Sequence, residues 1–194
     1  MKIIFSASSA LDLYRGEADL SRRLISYLLP GLSFREYLYF SGSHKFEPLT
    51  LYKIKKDHRD LSIEIIRKIK PIPLFNKYLK SGYLPFFLEG ENSYLIKLEQ
   101  IINTVVDSDL AYIQSFNSGT SVKLKKLMGV IAESAPFKPN IAALSRKLNL
   151  SRDSIYQYIN QLAKARLINI LNQQGKGIST LQKPEKVFLE NTNF

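Results

Sequence analysis

The 194-residue chain is 45% apolar and 23% charged, so it can bury one good core or two small ones and is too apolar to be disordered. It contains no cysteine, which excludes disulfides, thiolate zinc sites and cysteine nucleophiles. Its formal net charge is +11, and residues 120–194 hold 12 basic against 4 acidic side chains, an excess that favours a polyanionic partner such as nucleic acid.

No apolar run is long enough to span a bilayer, and the opening segment Met1–Ser6 is too short for a signal peptide. Both features predict a cytoplasmic protein without a membrane partner. The two histidines, His44 and His58, lie on polar stretches with no carboxylate pair at a metal-ligand spacing. We therefore interpret them as solvated side chains and predict no metal site.

Residues 1–40 are predicted to form a strand, a helix, a second strand and a second helix. Apolar runs at Lys2–Phe5 and Leu24–Leu29 suggest the two strands. The first run opens the chain, so it is either a true amino-terminal strand or the remnant of a sheet whose earlier part is missing. The Ser33-Phe34-Arg35-Glu36 segment is a capping box, which predicts a helix that extends to about Phe40.

Residues 41–56 have the mixed composition of a loop, and residues 57–116 are predicted to be helical. Apolar side chains recur there at helical spacing in three stripes, separated by breaks at Pro71 and at Ser81-Gly82. The three stripes are Leu61, Ile65 and Ile69; Leu74, Tyr78 and Leu79; and Leu95, Leu98, Ile102 and Val105. We interpret the third stripe as hydrophobic core rather than as a ligand site.

Residues 120–194 are predicted to begin with three helices. Their apolar faces are Leu124, Leu127, Met128 and Ile131; Ile141, Leu144 and Leu148; and Ile155, Ile159 and Leu162. Asn140 can cap the second helix and Ser151 the third. Asn149 lies where the chain must reverse, and asparagine tolerates the left-handed conformation. A tight turn between two short amphipathic helices predicts a helix-turn-helix.

The third of these helices is followed by the elements of a winged helix. Strand candidates Leu167–Leu171 and Lys186–Leu189 flank a polar, glycine-rich tip at Asn172–Gly177. Arginine, glutamine and asparagine can form paired hydrogen bonds to purine edges, and a lysine at the tip can touch a phosphate. The side chains predicted to contact DNA are Ser151, Arg152, Tyr156, Gln157, Asn160, Gln161, Lys164 and, at the tip, Lys176.

The segments Phe5–Ala10, Ala18–Arg23 and Pro30–Leu38 together resemble a prokaryotic AAA-type ATPase family. In that family a strand ends in a Thr-Gly-Ser-Ser stretch, a Leu-Ser-Gly-Arg stretch follows, and a Leu-Ser-Phe-Arg-Glu box comes after it. Gly82–Phe87 and Lys183–Leu189 are similar to the family's carboxyl-terminal region. The resemblance covers essentially the whole chain, and it implies lid helices and a winged helix after the ATPase core.

The resemblance also implies that nucleotide drives a conformational change. Ser8, or its neighbour Ser9, would match the polar sensor that hydrogen-bonds the terminal phosphate or the attacking water. Arg23 matches the arginine of the Leu-Ser-Gly-Arg stretch, where a guanidinium can act as an arginine finger on a transferring phosphoryl group. Arg22 stands beside it at a position that is usually glycine, as Ala7 does in the sensor stretch. The candidate catalytic residues are Ser8 and Arg23, and the candidate nucleotide-binding residues are Ser8, Ser9, Arg22 and Arg23. A helix cap and a solvated helix face are the structural alternatives.

No segment matches the Gly-x-x-x-x-Gly-Lys-Ser/Thr pattern that cradles phosphates and magnesium. The one Gly-Lys pair, Gly175-Lys176, is followed by Gly177, and Val105-Val106-Asp107 lies in the helical stripe. We therefore expect ATP and magnesium to be held only by an upstream portion or a partner subunit. Alone, the chain is expected not to hydrolyse ATP.

The predicted fold is mainly α with short β segments. It comprises an incomplete α/β remnant at residues 1–45, a helical lid at 46–119, and a winged helix-turn-helix at 120–194. The leading hypothesis is the sensor, lid and winged-helix portion of an AAA-type ATPase, with DNA, the ATPase core or further copies of the chain as partners. Two alternatives stay open. A stand-alone winged-helix regulator would bind duplex DNA in a salt-sensitive way, whereas a pure interaction module would not bind it.

Overall fold

In the part of the chain that the structure describes, the regular secondary structure is helical apart from one pair of strands. A computed structural model describes residues 4, 25, 27–110, 118–134, 138–172 and 184–194. Within these ranges the elements are α1 (Phe34–Phe40), α2 (Leu51–Lys68), α3 (Pro71–Ser81), α4 (Glu91–Thr104), α5 (Ser118–Ala132), α6 (Ile141–Leu148), α7 (Arg152–Lys164), β1 (Ile168–Asn172) and β2 (Pro184–Leu189). The prediction of a mainly helical chain with a small sheet is confirmed. None of the helices in the described ranges is both long and apolar enough to cross a bilayer.

The described residues fall into two compact units. One contains Tyr27–Lys97 and Asn193, and we call it the aromatic unit; the other takes in Leu98–Thr192 and Phe194, and we call it the basic unit. Helix α4 begins in the first and ends in the second, where a π-helical turn at Val105–Asp109 continues it.

Rings from α1, α3 and the 3₁₀ turn at Pro85–Glu89 pack together in the aromatic unit. Helix α1 begins where the capping box predicts, because Ser33 Oγ accepts from the amide of Glu36 and Glu36 Oε2 accepts from the amide of Ser33 at 2.8 Å. The hydrogen bonds from Ser33 lower the pKa of the Glu36 carboxyl. Tyr37 packs against Phe87 with the rings tilted by 46° and their centroids 4.8 Å apart. The other rings of the cluster are Phe34, Phe75 and Tyr78.

The buried carboxamide of Asn193 forms hydrogen bonds with backbone groups and a hydroxyl of the aromatic unit. The side chain of Asn193 is 6% exposed. Its Oδ1 accepts from the amide of Tyr83 at 2.9 Å and from the hydroxyl of Tyr94 at 2.6 Å, while its Nδ2 donates to the carbonyl of Leu79 at 2.7 Å. Nδ2 also lies 3.4 Å from the carbonyl of Tyr78 near the end of α3. Burial raises the pKa of the Tyr94 phenol.

The core of the basic unit lies among α5, α6, α7 and the hairpin. The predicted apolar faces of the three helices point into it, and its fully buried side chains include Leu124, Leu127, Ile155, Leu162, Ile168 and Val187. Strands β1 and β2 pair antiparallel, with Ile168 opposite Leu189 and Ile170 opposite Val187. Residues 173–183 between the strands lie outside the described ranges, and so does the predicted tip residue Lys176.

Three predicted boundaries or exposures in the aromatic unit and α4 are wrong, whereas the predicted break at Pro71 is confirmed. Helix α2 begins at Leu51 rather than after residue 56, because the Thr50 side chain caps it by accepting from the amide of Lys53. Pro71 starts α3 as well as ending the preceding run, as its fixed φ and missing N–H suit the first turn of a helix. Leu95 is 65% exposed, since the buried face of α4 is centred on Tyr94 and Leu98 instead. Residues 27–29, in the predicted second strand, have no regular structure and are exposed, because no described strand pairs with them.

The predicted first strand lies almost wholly outside the described residues, and so do the predicted nucleotide-binding residues. Of Lys2–Phe5 only Ile4 is described, and its side chain is exposed. Ser8, Ser9, Arg22 and Arg23 all lie outside the described residues.

Candidate nucleic-acid interface

One face of α7 presents polar and charged side chains to solvent. Asp153, Gln157, Asn160 and Lys164 are all exposed. Their spacing of four, three and four residues places them in one row along a helix. Arg152 is exposed at the first position of the helix, and Tyr156 is half-buried beside the row. The row therefore carries a carboxylate, two carboxamides and an ammonium group that are available to a ligand.

The turn before α7 fixes the direction of this face. Asn149 ends α6 in the left-handed conformation, at φ 51° and ψ 56°, as the sequence predicts. Ser145 Oγ donates to the carbonyl of Leu150 at 2.5 Å, which ties the turn back onto α6. Ser151 Oγ then accepts from the amide of Ser154 at 3.0 Å and caps α7. Ser151 was predicted as a DNA contact; the structure shows that its hydroxyl already serves as the helix cap.

A side-chain cap also sets the beginning of α6. Asn140 Oδ1 accepts from the amide of Ala143 at 3.0 Å, as expected for an asparagine cap. Leu144 and Leu148 are buried on one side of α6, and Arg146 and Lys147 are exposed on the other. The two side-chain caps and the turn Asn149–Ser151, with its left-handed first residue, set the orientation of α7 relative to α6.

The charges of the basic unit leave a surplus of free cations. Glu185 pairs with Lys138 at 2.6 Å, and Glu190 pairs with Arg166 at 2.7 Å. Among residues 120–194, Glu133 and Asp153 are then the carboxylates without a described cation partner. On α6, α7 and the hairpin, five exposed cations have no described carboxylate within ion-pair distance: Arg146, Lys147, Arg152, Lys164 and Lys186. This surplus attracts a polyanion.

Sequence reasoning missed three of these five cations and misplaced one polar side chain. Arg146, Lys147 and Lys186 were not predicted as contacts, although the apolar spacing of α6 already put its two basic residues on the outer side. Gln161 was predicted to be exposed, but it is 8% exposed on the inner side of α7. Its Oε1 has no hydrogen-bond partner among the described residues.

Replacing Gln161 with methionine is expected to stabilise the protein. The change keeps the volume and removes a buried polar atom without a partner, so the free energy of unfolding should rise by about 1 kcal/mol, as measured by denaturant titration. Gln157→Met on the exposed side of the same helix is the matched control and should change stability by less than about 0.5 kcal/mol. A clear loss of stability in Gln161→Met alone would show that the amide is bonded.

The aromatic unit contains a concave surface. A groove of about 650 Å³ lies between α1, the loop 41–50 and α2. Apolar side chains such as Phe34, Phe46 and Ile65 line it, with charged groups at its edges. Glu64 and Lys68 at this edge form an ion pair, which lowers the pKa of Glu64. Within the described ranges no three histidine or acidic side chains gather as a metal site would require.

Comparison with known proteins gives a distant relative that is longer than this chain. No family model matches the chain, and no solved structure is significantly similar to it. The chain is 26% identical over 189 residues to "Uncharacterized protein MJ1637" of Methanocaldococcus jannaschii. The match covers 95% of this chain and 40% of the relative, so the chain spans less than half of the relative's length.

Proposed function

We propose that the basic unit is a winged helix-turn-helix that binds duplex DNA, with α7 as the recognition helix. The observation that carries the proposal is the exposed row on α7 that follows a tight left-handed turn. Helices α6 and α7, then the antiparallel hairpin, match the order helix, turn, helix, strand, strand. Gln157 and Asn160 are the side chains that read bases, and Arg152 and Lys164 contact the backbone.

The shape of the duplex favours DNA over double-stranded RNA. The major groove of B-form DNA is about 12 Å wide and admits an α-helix, whereas that of A-form RNA is too deep and narrow for side chains to read. An exposed row of side chains on the single helix α7 fits the major groove of B-form DNA. The five free cations supply the phosphate contacts that hold such a helix in place.

We further infer that this DNA-binding unit serves a cytoplasmic AAA-type ATPase. Support comes from the resemblance at Phe5–Ala10, Ala18–Arg23 and Pro30–Leu38, and from the greater length of the relative. In this proposal Ser8, Ser9, Arg22 and Arg23 sense nucleotide, and residues 46–119 act as a lid. Because the sequence lacks a phosphate-binding loop, ATP and magnesium are held by a further polypeptide region or a partner subunit.

A protein-docking role is the second candidate, and one observation favours it. Helix α2 is 18 residues long and buries none of its side chains, and Leu51, Tyr52 and Ile66 are exposed. Exposed apolar groups of this number often pack on a protein surface, here a further region, a second copy or another partner. This role concerns the aromatic unit and is compatible with DNA binding by the basic unit.

The proposal predicts salt-dependent binding of random-sequence duplex DNA by the full chain. Each phosphate contact contributes about −0.9 to the slope of log K against log salt, so five contacts give a slope of roughly −4.5. Fluorescence anisotropy of a labelled duplex over about 50 to 200 mM salt measures the slope. A duplex RNA of the same sequence should bind more weakly. Absence of duplex DNA binding at the lowest salt would contradict the proposal and leave protein docking as the function.

A further inference from the structure

The middle of the exposed row on α7 carries two carboxamides and no guanidinium. Gln157 and Asn160 are both exposed and three residues apart. A helix rises about 1.5 Å per residue, so the two side chains begin about 4.5 Å apart along the axis. Successive base pairs are separated by about 3.4 Å. The longer glutamine side chain can make up this difference, and the pair can therefore reach neighbouring base pairs.

A carboxylate in the same row indicates that the row meets base edges rather than phosphates. Asp153 is exposed one turn before Gln157, and no described cation pairs with it. A carboxylate against the phosphate backbone is repelled, whereas at a base edge it can accept from the amino group of cytosine. The unpaired cations of α6, α7 and the hairpin lie at the first position of α7, near its end, on α6 and on β2.

We propose that Gln157 and Asn160 read two neighbouring adenines in the major groove. This inference rests on the proposed DNA-binding function and adds the sequence class that the site selects. In the major groove adenine alone presents an acceptor, N7, next to a donor, the N6 amino group. A carboxamide matches this pattern, because its NH₂ group donates to N7 and its oxygen accepts from the N6 amino group. Guanine presents two acceptors at these positions and is read instead by arginine or lysine, neither of which lies between Asp153 and Lys164 in the row.

The test begins with selection of bound duplexes from a random pool by the full chain. Two adjacent A·T pairs should be enriched in the selected sequences. Each adenine is then replaced in turn by 7-deazaadenine, which lacks the N7 acceptor in the major groove and leaves the minor groove unchanged. Each replacement at a read position should weaken binding on the order of tenfold.

Matched variants show which of the two side chains contacts each adenine. In Gln157→Met the 7-deaza penalty should vanish at one of the two positions, and in Asn160→Leu it should vanish at the other. Gln161→Met, with the buried glutamine changed, should keep both penalties and serves as the control. Enrichment of G·C pairs, or penalties that persist in both variants, would overturn the adenine inference while DNA binding stands. If the unmodified protein shows no salt-dependent binding of duplex DNA, the proposed function is wrong and this inference falls with it.

Discussion

The double variant Arg152→Glu, Lys164→Glu is expected to bind duplex DNA at least about 100-fold more weakly than the unmodified chain at about 0.1 M salt. Two phosphate-facing cations are lost, and two carboxylates that the backbone repels are introduced. The slope of log K against log salt should fall by about 2 in magnitude, because each lost contact removes about 0.9. Anisotropy titration over a range of salt measures both quantities.

The control is a second double charge reversal, which gives the same net charge but lies in the aromatic unit. Lys55 and Lys77 are exposed on α2 and α3 in the aromatic unit. The variant Lys55→Glu, Lys77→Glu should keep the slope and lose little affinity. Equal losses in the two double variants would mean that net charge, rather than the face of α7, governs binding.

Replacing Asn193 with aspartate is expected to destabilise the aromatic unit by about 3 kcal/mol or more. The carboxylate keeps an acceptor for the Tyr83 amide and the Tyr94 hydroxyl. It places a second oxygen, without a proton, against the carbonyls of Leu79 and Tyr78. Loss of the donor and burial of a charge act in the same direction.

Amide hydrogen exchange measures the loss of stability at the residues around Asn193. The backbone amides at the end of α3 and at Tyr83 should exchange faster in Asn193→Asp. Asn92→Asp makes the same chemical change at an exposed position in the first turn of α4, where a carboxylate is favourable at a helix amino terminus, so it should cause no loss. Unchanged exchange in Asn193→Asp would contradict the bonding pattern seen around the buried amide.

The three helices of the basic unit were predictable because local signals agreed with periodicity. Asn140, Asn149 and Ser151 adopt the caps and the reversed turn that their side chains favour. The apolar spacing of α7 points Ile155 and Leu162 into the core. Here short-range chemistry and burial require the same conformation, so the sequence is sufficient.

Polar side chains at the border of a helix face were harder to predict. Gln161 follows the buried Tyr158 by three residues and precedes Leu162, so helical spacing places it on the inner side. Its amide group nevertheless suggested exposure, and packing prevailed. Leu95 shows the reverse case, because an apolar side chain next to the buried Tyr94 projects outward.

The groove beside α2 could not be predicted from local patterns. Its walls come from α1, the loop 41–50 and α2, and their approach depends on how these segments pack. The start of α2 was missed because the loop-like composition of residues 41–56 outweighed a single capping threonine, Thr50. The nucleotide-sensing role of Ser8 and Arg23 and the division at residues 45 and 119 stay predictions.

Mapping the DNA-bound surface is the most direct test of the proposed interface. Backbone amide shifts of the isotope-labelled full chain would be followed by nuclear magnetic resonance as a short duplex is added at about 50 mM salt. The account predicts the largest shift changes along Arg152–Lys164, with smaller ones at Arg146, Lys147 and Lys186. Changes confined to the groove of the aromatic unit, or no changes at all, would contradict it.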